Sequence, residues 1–150
     1  MNVLIVEDDE DKRGILLEFL NSNFPLFNVD EVRSYKSGLR ALLSKYYDLL
    51  ILDMSIPTFD VSATEQGGKA QPFGGEMLLH EVKRRSINSK SIVFTQFDIF
   101  GKDDEEMTLK DLDIRLSKQF GENYLGIIQY NIKFTAWEND LEILINRLIR

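Results

Sequence analysis

A doubly wound α/β fold, with one parallel sheet of five strands and helices on both faces, is what this sequence predicts. Three observations carry the expectation. Short apolar runs alternate with stretches of helical periodicity along the whole chain. The run "LLIL", residues 49 to 52, is apolar on both faces, as a parallel strand covered by helices must be. Five βα units in series then leave the flavodoxin-like arrangement, strand order 2-1-3-4-5, as the expected topology.

The elements follow in order. Val3 to Val6 read as the first strand, and a helix follows with Ile15, Leu16, Phe19 and Leu20 on one face until Asn21 to Pro25 stop it. Phe27 to Val32 is the second strand. Ser34 is the expected N-cap of a helix carrying Leu39, Leu42 and Leu43, closed by Tyr46 and Tyr47 packing toward the sheet. Leu49 to Leu52 is the third strand. Met77 to Arg85 is the third helix, with Met77, Leu78 and Val82 inward and basic residues at its C-terminus, where the helix dipole favours them. Ser91 to Thr95 is the fourth strand, and Leu109, Leu112, Leu116 and Phe120 mark the fourth helix. Ile127 to Tyr130 is the fifth strand, and Trp137 to Ile149 a closing helix with Trp137 as a core anchor. Two connections exceed the short loops of such a fold: residues 58 to 75, rich in glycine, and residues 96 to 107, where Asp103 to Glu106 read as a solvated helix start.

Composition narrows the function. The chain has 150 residues, 43% hydrophobic and 29% charged, which suits one soluble domain, and a net charge of −7 argues against a nucleic-acid binder. Cysteine is absent and His80 is the single histidine, which excludes disulfides, thiolate chemistry and multi-histidine metal sites; His80 itself reads as a surface or structural residue. No apolar run reaches the roughly 20 residues of a membrane span, and no signal peptide precedes the first strand, so a cytoplasmic setting is expected.

The chemistry lies at strand ends. Strand one runs into Glu7, Asp8 and Asp9, and strand three into Asp53. In an open parallel sheet ligands sit beyond the carboxyl ends of the strands where strand order reverses, so Glu7, Asp8 and Asp53 converge on one site. Three carboxylates so close repel by several kcal/mol, which protons or a cation must relieve. A hard ion such as Mg²⁺ suits oxygen donors, and the backbone carbonyl of Ser55, just past Asp53, completes the protein's share. Thr95 brings a hydroxyl to the same edge. A nucleophilic carboxylate, a divalent ion and a hydroxyl together suggest phosphoryl transfer onto Asp53.

"VLIVEDDE", "YYDLLILDMSIP", "GGEMLLHEVKRR" and "SIVFT" together make the chain resemble a receiver domain of two-component response regulators. The resemblance implies Mg²⁺-dependent phosphorylation of Asp53 by a histidine kinase or phosphotransfer partner. Asp8 would bind the metal directly, Glu7 through water, and Thr95 would act as the switch hydroxyl. It further implies a signalling module rather than an enzyme, with at most self-catalysed phosphorylation and dephosphorylation. No output domain is expected in this chain, and the downstream target would be a protein. The chain departs from the family at the fifth strand, which lacks the expected Lys-Pro pair. Lys133 fills the lysine position, or Tyr130 or Asn131 stands there instead. A phosphorylation-independent pseudo-receiver is therefore the alternative. A metal-dependent phosphohydrolase is disfavoured, because Ser55 stands where that chemistry puts a second aspartate. The partner surface is expected on the 58 to 75 loop and the 107 to 120 helix.

Overall fold

Val3, Leu4, Ile5 and Val6, the body of β1 (Asn2–Val6), have no exposed surface. Alternation in the strand divides them: Leu4 and Val6 enter the core on one face of the sheet, Val3 and Ile5 the core on the other. The structure, a computed structural model, describes residues 1–60, 71–96, 99–100 and 107–150. Most of the 58 to 75 loop, and the Asp103 to Glu106 segment, lie outside the described residues.

The main sheet contains β1, β2 (Asn28–Val32), β3 (Leu49–Leu52), β4 (Lys90–Thr95) and β7 (Tyr124–Gln129), in the order β2-β1-β3-β4-β7 with every pairing parallel. This is the expected 2-1-3-4-5 order, β7 being the fifth strand of the sheet. A short antiparallel ribbon, β5 (Ile99–Phe100) with β6 (Met107–Thr108), intervenes ahead of the fourth helix and was not foreseen.

Helices α1 (Glu10–Asn23) and α5 (Ala136–Ile149) cover one face, burying Leu16, Phe19 and Leu20 against Trp137, Leu141 and Ile145. On the other face lie α2 (Tyr35–Ser44), α3 (Gly74–Arg84) and α4 (Leu109–Phe120), through Leu42, Leu78, Val82, Leu112 and Leu116. Ser34 caps α2 as expected, in a reciprocal capping box with Ser37. Trp137 is the expected core anchor, its ring 5.2 Å from that of Phe19 and 5.3 Å from that of Phe94.

Some inward assignments fail. Leu43, Tyr46 and Met77 are exposed, because each lies one position off the buried stripe that Leu42, Tyr47 and Leu78 occupy. The last strand begins earlier than expected, at Tyr124, and ends at Gln129. His80 is exposed at its side chain and meets the Phe120 ring edge-on, as a surface residue. Arg115 of α4 pairs with the buried Glu76 of α3 and stacks over Phe73, which fastens α4 to the start of α3. Among the described residues no helix is long and apolar enough to cross a membrane.

Candidate functional site

The register of β1 and β3 builds the site. Val6 stands opposite Leu52, and the ladder continues past both strands: Asp53 N–H donates to the Val6 carbonyl at 3.1 Å, and Glu7 N–H to the Val32 carbonyl at 3.0 Å. Glu7 and Asp53 are thus the next residues out on neighbouring strands, at the edge where strand order reverses. Val93 pairs with Leu52, so β4 brings Thr95, its last residue, to the same edge. Glu7, Asp53 and Thr95 are all buried, whereas Asp8 is exposed at the rim. Asp53 Oδ1 accepts from the Met54 N–H at 2.7 Å, and the Ser55 N–H lies 3.4 Å from it. The turn that carries Ser55 is therefore wrapped around the carboxylate.

Asp53 Oδ2 is held by a cation that sequence reasoning missed. Lys12, from the first turn of α1, is 2% exposed and donates to Asp53 Oδ2 at 2.9 Å and to the Phe94 carbonyl at 2.9 Å. Its Nζ also stands 2.5 Å from Glu7 Oε1. An ammonium has three N–H donors, and each finds an acceptor here. The side chain lies across the Phe94 ring, Nζ 5.2 Å from the centroid. Asp9 sets this geometry by capping α1, its carboxylate accepting from the Lys12 N–H. Arg13 is buried beside it and donates to the Glu7 carbonyl at 2.8 Å.

The lysine position expected at the end of the last strand is not filled by Lys133. Lys133 is exposed in the turn between β7 and α5, and its backbone N–H donates to Asn131 Oδ1. Gln129 pairs with Thr95, and Tyr130 follows it as a buried ring, 5.3 Å from Phe94 and 5.7 Å from Trp137. The strand ends too early for Lys133 to reach inward, and an aromatic ring occupies the space.

Charge balance in this pocket governs its titration. With Glu7 and Asp53 both ionised, one ammonium leaves a buried excess of negative charge. Burial raises Glu7 to about 8 from its ordinary 4.5, a rise that the Lys12 ammonium opposes and the Asp53 charge reinforces. Burial alone would lower Lys12, but Asp53 and then Glu7 outweigh it and hold the ammonium above its ordinary range. Near neutral pH Glu7 accordingly carries a proton and Lys12–Asp53 remains as the ion pair. Asp8 is raised too, chiefly by partial desolvation at the rim.

A pH dependence follows. The folded protein keeps the Glu7 proton up to about pH 8, whereas the unfolded chain loses it near 4.5, so the folded state binds more protons across that window. Stability of the metal-free protein is expected to fall as pH rises from about 5 to 9. Urea midpoints across this range check it, and Glu7→Gln should flatten the slope.

The donor chemistry suits Mg²⁺: the carboxylates of Glu7, Asp8 and Asp53 and the Ser55 carbonyl are all hard oxygens. Among the described residues no three acids stand together as a ready-made metal site, and Lys12 Nζ contacts both Glu7 and Asp53. A cleft of about 450 Å³ opens beside it, lined by Asp9, Asp11, Lys12, Gln96, Gln129 and Tyr130, among others.

No family model matches the chain. It is 30% identical over 145 residues to the uncharacterised protein y4jR of Sinorhizobium fredii, covering 95% of each chain. It is 24% identical over 143 residues to the Detocs response regulatory protein DtcB of Enterobacter cloacae, covering 94% of this chain and 95% of that one. Among solved structures, the Francisella response regulator 1452 receiver domain superposes with a TM-score of 0.65 at 19% identity, covering 98% of this chain and 94% of that one. The Thermotoga maritima response regulator TrrA, solved in complex with Mg²⁺-BeF, gives 0.60 at 18% identity, covering 95% and 97%. The chain has the fold of response regulator receiver domains.

Proposed function

We propose that the protein accepts a phosphoryl group on Asp53 from a histidine kinase or phosphotransfer protein, with Mg²⁺, and passes the change to a protein target. The observation that carries this reading is Asp53 itself, a buried carboxylate at the switch point of the sheet, oriented by backbone N–H groups and paired with an ammonium. An Asp53 oxygen attacks the phosphorus of a phosphohistidine. The P–N bond breaks, its electron pair leaves on the imidazole nitrogen, and an acyl phosphate remains. Asp8, Asp53 and the Ser55 carbonyl would hold the metal, with Glu7 acting through water, and the ion when bound supplies charge neutralisation for the incoming oxygens. Phosphoryl transfer would occur in the cytoplasm, and the domain would act as a signalling module rather than a turnover enzyme.

Intact-mass spectrometry after incubation with acetyl phosphate tests the reading. The wild-type protein is expected to gain one phosphoryl group only with Mg²⁺ present, and Asp53→Asn none. Equal labelling of Asp53→Asn would refute it. A pseudo-receiver is the second reading, drawn from the buried Tyr130 at the end of the last strand and from the ammonium that already neutralises Asp53. An unlabelled wild-type protein supports that alternative.

A further inference from the structure

We propose that Lys12 is the phosphoryl-binding cation of this domain, so that helix α1 supplies the charge for which the end of the last strand offers no candidate. The inference rests on Asp53 being the acceptor. Lys12 Nζ lies 2.9 Å from Oδ2 of the reacting carboxylate. Burying an ammonium is costly unless it is paired, and Lys12, 2% exposed, has Glu7, Asp53 and the Phe94 carbonyl as partners. Tyr130 packs against the Phe94 ring, 5.3 Å away, and Lys133 stays in solvent. Lys12 also forms part of the wall of a cleft of about 450 Å³ that it shares with Asp9, Gln96 and Tyr130, which is large enough to admit a phosphoryl group.

Placing the cation on α1 changes what senses phosphorylation. Lys12 holds the carbonyl of Phe94, the residue before Thr95, and its stem crosses the Phe94 ring. When the acceptor carries phosphate, Nζ exchanges its bond to Oδ2 for one to a phosphoryl oxygen. The shift reaches Phe94 directly, and Trp137, 5.3 Å from that ring and the sole tryptophan, records it.

The test compares wild type, Lys12→Met, Lys12→Arg and Lys133→Ala by two readouts with Mg²⁺ present. One is the rate of labelling by acetyl phosphate. The other is the Trp137 fluorescence change on titration with beryllofluoride, a stand-in for the phosphoryl group. Loss of one preorganised charge at a developing anion is worth on the order of 10²-fold, the loss expected for Lys12→Met in both readouts. Lys12→Arg should recover part of it, and Lys133→Ala should match wild type. Methionine leaves two buried acids without their counter-charge, so the comparison is repeated in a Glu7→Gln background against Glu7→Gln alone. That background removes one of the two acids, so the comparison stands where the single variant does not fold. Wild-type labelling and response in the Lys12→Met proteins would overturn the assignment while leaving Asp53 as acceptor. Wild-type protein that neither labels nor responds to beryllofluoride would overturn both.

Discussion

Lys12→Met is expected to destabilise the metal-free domain by about 3–5 kcal/mol at pH 8, the usual cost of removing one partner from a buried ion pair. The reason is geometric. Lys12 is the ammonium between Glu7 and Asp53, at 2.5 and 2.9 Å, and all three groups are buried. Water cannot take its place without opening the first turn of α1, where Asp9 caps the helix on the Lys12 N–H. Methionine keeps the length and apolar stem, so the loss reads the charge rather than a cavity. The loss should shrink at pH 5, where Glu7 is protonated in any case. Chemical denaturation at the two pH values checks it. A double-mutant cycle with Asp53→Asn should show strong coupling, because the neutral acceptor no longer needs the ammonium. Additive effects would mean that the two side chains do not meet.

Gly75→Ala is expected to lower stability by about 3 kcal/mol, the upper end of the usual range for overpacking. That corresponds to a fall of about 6–12 °C in the thermal midpoint for a domain of this size. Gly75 lies in the first turn of α3 against the loop that follows Asp53, with its N–H donating to the Met54 carbonyl at 2.9 Å. A Cβ there would lie 2.3 Å from the Asp53 carbonyl oxygen and 3.0 Å from the Met54 Cα. Both obstacles are backbone, so neither can rotate aside. Gly14 is the control: nothing stands within 4 Å of its Cβ position in α1. Alanine there should add about 0.5–1 kcal/mol by restricting the unfolded chain. Calorimetric midpoints for the two variants should therefore move in opposite directions.

The sheet was legible because its strands are apolar on both faces. Val3 to Val6 and Leu49 to Leu52 admit few other readings, and the acids that end those runs located the site. Helix faces were less legible at their margins. Leu43 and Met77 border a buried stripe, and one residue turns a helix face by 100 degrees or so, enough to reach solvent. Lys12 was missed because it sits in a charged run, "EDDEDKR", that reads as a solvated helix start. A signal was present: Lys12, Leu16, Phe19 and Leu20 follow the spacing of one helix face, so the apolar stripe of α1 predicts an inward lysine. Lys133 attracted the lysine role through its distance from the last strand. That distance misled because β7 ends at Gln129 and the chain turns before Lys133. The ribbon of β5 and β6 gave no signal, since two-residue strands are too short to show alternation.

Locating the acyl phosphate on the chain tests the central claim most directly. The wild-type protein is labelled with acetyl phosphate and Mg²⁺, the acyl phosphate is reduced with borohydride, and the peptides are sequenced by mass spectrometry. Reduction at the acceptor converts aspartate to homoserine, and the account predicts homoserine at position 53 and nowhere else. Homoserine at Asp8 or any other acid, with Asp53 intact, would contradict it.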